Sequence, residues 1–588
     1  MGLEHGFFQG AGFLVSDPAP EAGEGTPIQT PEQARAEVAP IAEVARRFAD
    51  QEVVPAMRAH PEHDPAVLRG LLRRAGELGL LGVEVEEAYG GSGLGSVFAA
   101  AVTEAIARTG DFAVTFGAHS GIGTLPLAIF GTPEQKARYL PSLVSGERVA
   151  AYALTEPMAG SDALSAKSRA TPVDGGFVLE GQKQWITNAG LADLMVVYAK
   201  VNGEQFTAFL VETASPGLSL GPEEDKLGIR GSSTRAVYLD GVRVPAENVL
   251  GEIGRGHVIA FGVLNVGRFK LAAGSLGSGK AALEVATAYA EQRRQFGRPI
   301  VEFGLVGEKL AEMAARLYAL ESMVYRTAGL MEARRAALGD PRQAVAEVAV
   351  ECSINKVYGS ETLDFVVDEA LQIHGGYGFM NEYPVSRMYR DARINRIFEG
   401  TNEINRLLIP DAMMRRALKG GVPLLAAMAE ARQAVDQGAE AAERGAVVDG
   451  VWLPSPEWMR ALRQAVLYVA SVVVEMHGTA LESEQEKLER LADLAIALYA
   501  AQSVWMRARL ATAGASSGQA GPELHRVAAS LVIEQAARQV EQAAQDLLAR
   551  EQLGRLRALL ERPQVSPIAL RRALAQAVRA AGGYPFEG

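Results

Sequence analysis

FVLEGQK (177–183), MVVYAK (195–200), FTAFLVE (206–212) and AVYLDGVRV (236–244) are four short runs of strand formers set between Gly, Asn and Pro breaks. β-Branched and aromatic residues in runs of this length read as strands. Together they predict a β domain over residues 149–250, inside a chain whose remaining text is helical. The order helices, strands, helices, more helices predicts an α+β protein, mainly α.

On the N-terminal side, residues 1–29 are rich in Gly and Pro and are expected to run over the surface as an extension. Thr30 followed by Pro31 and Glu32 is a helix-start signal. Residues 30–148 read as a helical domain, interrupted by a loop at Gly90, Gly91, Ser92 and Gly93. On the C-terminal side, helical periodicity resumes over 251–418. Gly420 and Gly421 fall in an expected linker, 419–455. Residues 456–588 then read as a further helical domain. Leu462, Val466, Val469, Val473 and Met476 make one apolar stripe, and Leu488, Leu491, Ala495 and Leu498 a second. GASSGQAGP (514–522) reads as a flexible connector.

The chain has 588 residues, 48% of them hydrophobic. That exceeds one core and predicts roughly two to four domains. The formal net charge of -12 argues against nucleic acid as a partner. Cys352 is the only cysteine, which excludes an intrachain disulfide and a cysteine-based zinc site. No secretory or mitochondrial targeting pattern opens the sequence, so a cytoplasmic location is expected. The longest apolar stretch, around Ala465–Met476, is expected to be too short to span a bilayer.

Several segments can carry chemistry. In RIFEGTNEINR (396–406) the glycine after Glu399 permits a sharp turn, with a helix starting at Thr401 or Asn402. A carboxylate beside Ile397 and Phe398 would have its pKa raised by desolvation, as a base for a weakly acidic C–H requires. On the residues alone, the plainer reading is a surface loop acid. AYALTEPMAGSD (151–162) and KQWITNAG (183–190) put small hydroxyl residues and Trp185 at strand ends. These suit a flavin's polar edge, or they are ordinary turn residues. RRQFGRPI (293–300) offers arginines suited to pyrophosphate. LQIHGGYGF (371–379) offers glycines that let backbone approach a ligand, with His374 read as structural. GSLGSGKA (274–281) imitates a phosphate loop, but Ala281 replaces the Ser or Thr, and no strand precedes it.

TEPMAGSD, QWITN, KLGIRGSSTR (226–235), GVRVPAENVLG (241–251), RRQFG, QIHGGYGF and FEGTNEI stand in the order and spacing of acyl-CoA dehydrogenases. The chain resembles that family from about residue 30 to its end. GVLNVGRFKLAAG (262–274) and the helices beyond 420 resemble its very-long-chain branch. The resemblance implies the family fold with an added C-terminal helical domain, FAD as cofactor and a homodimer. The activity it implies is α,β-dehydrogenation of a fatty acyl-CoA to the trans-2-enoyl-CoA in β-oxidation. An electron-transfer flavoprotein is the implied acceptor.

Carried onto this chain, the resemblance makes Glu399 the base, with Gly400 beside it at the substrate. Leu154, Thr155, Trp185, Ile186 and Thr187 would contact the flavin, and Ser161 both cofactor and substrate. Arg293, Phe296, Gln372, Gly375 and Gly376 would hold the ADP half of FAD across a subunit boundary, with Thr401 and Glu403 completing that site. Asn265 and Arg268 would face the CoA moiety. The isovaleryl branch carries its base where this chain has Gly267. Gly117, Ala118, Ser120, Gly121 and Gly123 either make room for a long acyl chain or are packing residues. Arg555, Arg557, Arg562, Arg571, Arg572 and Arg579 form either a solvated helix face or the peripheral membrane contact that the very-long-chain branch implies. The competing functions are an acyl-CoA oxidase and a flavoprotein scaffold or assembly factor without turnover.

Overall fold

Thr30 caps the first long helix, Pro31–Phe48, by a reciprocal capping box with Gln33. The computed structural model describes residues 10–17, 30–60, 62–438, 443–514 and 520–586. Short helices follow up to Val144, among them Ser96–Ala107 and Asp111–Gly117. The latter runs into a π-helical turn over Ala118–Gly123.

Eight strands come next: β1 Ala150–Ala153, β2 Arg169–Val173, β3 Gly176–Thr187, β4 Leu194–Val201, β5 Gln205–Glu212, β6 Leu218–Glu223, β7 Thr234–Pro245 and β8 Val249–Leu250. They form one sheet in the order β6-β7-β3-β2-β4-β5-β8, with β1 added beside β4. Most neighbours are antiparallel, but β4 runs parallel to β1 and β2. Both faces of the sheet are covered. Val196, Tyr198 and Leu210 pack with the helices, while Met195, Val197, Phe209 and Val211 pack in a second cluster. Burial on both sides explains why MVVY clusters apolar residues instead of alternating them.

The helix Gly256–Gln292 then crosses the molecule and packs against Ser96–Ala107, Gly304–Leu338 and Ala349–His374. The phosphate-loop look-alike 274–281 lies within this helix. Helices Pro456–His477, Gln485–Thr512, Pro522–Leu547, Arg550–Leu559 and Pro567–Ala581 form the C-terminal bundle. It shares one continuous apolar core with the preceding helices.

Three expectations change, and a fourth falls largely outside the described residues. The N-terminal extension is not wholly a surface run, because Phe13 and Leu14 are buried in the main core. The 419–455 linker contains the helix Leu424–Asp436 and a two-residue-per-strand hairpin that buries Trp452. Gly-rich boundaries concealed both elements. Residues 515–519 of the expected connector lie outside the described residues. Finally, among the described residues three helical stretches are long and apolar enough to cross a membrane by length and composition, Asp111–Phe130, Gly256–Gln292 and Pro456–Ser483. A sparse polar residue ends an unbroken apolar run without making a helix polar. The first two stretches are mostly buried inside the protein.

Of the C-terminal arginines, Arg555, Arg562, Arg571 and Arg579 are committed to ion pairs with Glu551, Glu534 and Glu541, Glu308, and Glu291. Arg557 and Arg572 are exposed.

Candidate active site

Glu399 and Gly400 both have left-handed backbone, with φ of 59° and 80°. A non-glycine residue there stores strain and needs surroundings that hold it. Three side chains hold this turn by its carbonyls. Arg268 Nε donates to Glu399 O at 3.1 Å. Lys356 Nζ donates to Gly400 O and to Asn402 Oδ1, each at 2.7 Å. Asn405 Nδ2 donates to Gly400 O at 2.8 Å and Thr401 O at 3.0 Å. Thr401 then caps the helix Asn402–Leu418 through its side chain, which accepts from Ile404 N at 3.2 Å. Glu403 lies exposed on the first turn of that helix.

The carboxylate is placed by Gly267 on the Gly256–Gln292 helix, where any side chain would collide with it. Glu399 keeps partial exposure toward a cavity, but its Oε2 is buried without a hydrogen-bond partner. Burial pushes the carboxyl up to about 7, against the opposing pull of Arg268 and Lys356. Burial likewise pushes Lys356 down to about 7, with Glu399 opposing. The Glu399 amide N–H donates to no acceptor among the described residues.

Asn265 and Arg268 are buried and bonded to each other, Arg268 Nη1 donating to Asn265 Oδ1 at 2.9 Å. They serve the turn that carries the base, and do not present a free face to CoA. Lys356 and Asn405 were not singled out in the sequence. A lysine inside the apolar helical text of INKVYG (354–359) was the available signal for the first.

The cavity beside Glu399 has a volume of about 1430 Å³. Thr187, at the end of β3, lines it, as do Gly228, Asn395 and Phe398. A bulge in β3 between Lys183 and Ile186 turns Trp185 outward, with φ of 55° and 61% exposure. Ile186 is buried in the sheet. Leu154 and Thr155 follow β1 and lie against β3: Lys183 Nζ donates to Leu154 O at 3.2 Å and Gln184 N to Thr155 O at 2.9 Å. Ser161 sits on the exposed loop beyond the Glu156–Ala159 bridge. An open apolar Trp face, a hydroxyl at a strand end and nearby backbone carbonyls suit a flat heteroaromatic ligand with a polar edge.

Arg293, Phe296, Gln372, Gly375 and Gly376 form a separate exposed group. The Arg293 guanidinium lies 5.3 Å from the Tyr377 ring centre. Tyr289 stacks on His374 at 4.0 Å, joining the two segments, and His374 Nδ1 bonds to Ala370 O. Space is open where a Cβ on Gly375 or Gly376 would stand. No group of residues fit to hold a metal ion occurs among the described residues.

The chain is similar to known proteins along most of its length. Residues 35–147, 151–242 and 254–414 match the N-terminal, middle and C-terminal domains of acyl-CoA dehydrogenases. Residues 461–561 match a further acyl-CoA dehydrogenase C-terminal domain. A probable acyl-CoA dehydrogenase of Bacillus subtilis (strain 168) is 46% identical over 563 residues, covering 94% of this chain and 93% of its own length. The mitochondrial very long-chain specific acyl-CoA dehydrogenase of Bos taurus is 38% identical over 497 residues, covering 79% and 74%. The crystal structure of acyl-CoA dehydrogenase complexed with FAD from Bacillus anthracis superposes with a TM-score of 0.92 at 42% identity, covering 98% of this chain and 99% of that one. The chain thus belongs to the acyl-CoA dehydrogenase family of oxidoreductases.

Proposed function

We propose that this chain dehydrogenates long-chain fatty acyl-CoA to trans-2-enoyl-CoA, with Glu399 removing the α-proton. The observation that carries the reading is the Glu399 carboxylate itself, half-buried, with Oε2 buried and unpartnered, set at the wall of a large cavity.

The residues present fit FAD. Thr187 and the outward Trp185 stand at the strand end, with the backbone of Leu154 and Thr155 beside them. FAD held there would supply the acceptor for the β-hydrogen, as hydride. The chain's own work is to place and tune the base. A carboxyl with a pKa near 7 is matched to proton removal near neutral pH. The unpaired Glu399 amide can donate to the thioester oxygen as charge builds there, a contribution of about 3 kcal/mol in a dry site. Arg268, Lys356 and Asn405 fix the turn so that carboxylate and amide face the same substrate.

Long chains are favoured by the space at Gly117, where nothing stands within 4 Å of a built Cβ. A homodimer is supported by the exposed Phe296 and Phe379, 93% and 79% accessible, beside Arg293, Gly375 and Gly376. A second copy would cover this patch and complete the ADP half of the cofactor site. An electron-transfer flavoprotein would be the acceptor of the electrons.

Anaerobic titration of the FAD-loaded protein with palmitoyl-CoA tests the proposal. Flavin absorbance bleaches in the wild type and persists in Glu399→Gln. A protein that holds FAD but bleaches with no acyl-CoA would be a scaffold. Rapid turnover on oxygen alone would make it an oxidase.

A further inference from the structure

One face of the Gly256–Gln292 helix, stepping by four and three through Gly267, Leu271, Gly274, Ser278, Ala281 and Val285, lines the same cavity as Glu399. Thr103, Ile106 and Ala107 line it from the opposing helix. Gly267 marks the end at the base. At 1.5 Å per helical residue, Val285 lies about 27 Å further on. An extended alkyl chain advances about 1.3 Å per carbon, given its ~1.5 Å bonds. A straight chain therefore reaches the far end after about 20 carbons.

The far end is not apolar. Arg108, Asp50 and Glu284 all line the cavity there. Arg108 pairs with Asp50 at 2.9 Å and with Glu284 at 3.3 Å. Their side chains are 28%, 42% and 58% exposed, so this group is wet. Midway, Ser275 is 2% exposed, lines the cavity and has a hydroxyl without a hydrogen-bond partner. A channel built for hydrocarbon alone would end in packed apolar side chains. This one ends in one cation between two carboxylates, a set that can donate to and accept from a neutral hydroxyl but repels a carboxylate.

We propose that the acyl channel opens at its far end onto the Asp50–Arg108–Glu284 rim, and that this rim receives the ω-hydroxyl of long ω-hydroxyacyl-CoA substrates. The inference rests on the dehydrogenase reading above and adds a substrate class to it. The ω-hydroxyl is recognised and left unchanged by the reaction.

The test compares matched pairs of thioesters, palmitoyl-CoA and eicosanoyl-CoA with their ω-hydroxy counterparts, by anaerobic flavin bleaching. A 16-carbon chain ends beside Ala281, past Ser275 and Ser278 and short of the rim, and strands its hydroxyl there, so kcat/KM falls about 10- to 100-fold against palmitoyl-CoA. A 20-carbon chain delivers it to the rim, and the pair should agree within about threefold. Arg108→Leu should lower the ω-hydroxy to methyl ratio at 20 carbons about tenfold. ω-Carboxyeicosanoyl-CoA should react more slowly than the hydroxy compound. The same penalty at both lengths would mean a closed apolar end and would overturn the proposal, as would a ratio indifferent to Arg108→Leu. If no unsubstituted acyl-CoA bleaches the flavin, the dehydrogenase reading itself falls and takes this one with it.

Discussion

A Cβ built on Gly267 would stand 2.7 Å from Glu399 Oε2, closer than any real Cβ contact. Glycine at this helical position therefore makes room for the base. The carboxylate ends a flexible side chain, so it, and not the helix, gives way to a methyl group. Gly267→Ala is expected to displace Glu399 by about 1 Å and lower kcat/KM with palmitoyl-CoA by about 10- to 100-fold. Alanine favours helix over glycine, so thermal stability should hold. Unchanged kcat/KM would mean that the carboxylate reaches the substrate from another position.

The carboxyl of Glu399, pushed up to about 7 by burial, predicts how activity and stability follow pH. The base must be ionised, so kcat/KM should rise about tenfold per pH unit below 7 and level off above it. Lys356→Met removes a cation that opposes the shift, and should move the rising limb toward alkaline pH by about one unit. For stability, the folded pKa lies above the ordinary 4.5, so the contribution is fully present below 4.5 and lost as pH rises to about 7. The loss is at most about 3 kcal/mol. Glu399→Gln should raise Tm at pH 8 and leave it nearly unchanged at pH 4.5. An equal gain at both values would point to packing, not ionisation.

Strands of β4 and β5 were legible because MVVYAK and FTAFLVE are dense in β-formers. The turn at Glu399–Gly400 was legible because only a glycine follows so sharp a bend easily. The supports of that turn were not. Lys356 and Asn405 act through carbonyls on another part of the chain, and no local pattern marks a side chain for a distant backbone oxygen. Arg268 was visible as an arginine, but its direction was not: folding turns it onto Glu399 O instead of outward. Leu424–Asp436 and the buried Trp452 were hidden for a related reason, since tandem glycines mark a boundary without saying how soon order resumes.

Gly117 reports on chain length. It lines the cavity, and nothing lies within 4 Å of a Cβ built on it. A larger side chain there fills space that would hold substrate, without straining the fold. Gly117→Gln is expected to raise the KM for palmitoyl-CoA by about tenfold or more and that for hexanoyl-CoA by under about threefold. Equal changes for both would place the acyl chain along a different wall.

The C-terminal bundle is tied to the catalytic half by Arg507, which is fully buried between Glu32 at 2.6 Å and Glu321 at 2.7 Å. Glu321 also takes Lys280 at 2.6 Å and the Tyr584 hydroxyl at 2.6 Å. This network joins the first helix, the central helices, the C-terminal bundle and the last residues described. Arg507 and its neighbours hold both carboxyls below the usual range. Arg507→Met keeps the volume but leaves two buried carboxylates short of a partner, a cost of about 3–5 kcal/mol. The carboxyls' low folded pKa means that their contribution is present above the ordinary 4.5 and lost as pH falls through the folded value. In the variant those carboxyls can take up protons, so the Tm deficit should be several degrees at pH 8 and smaller at pH 5. A deficit equal at both pH values would assign the loss to packing around Tyr318, whose ring lies 4.2 Å from the guanidinium.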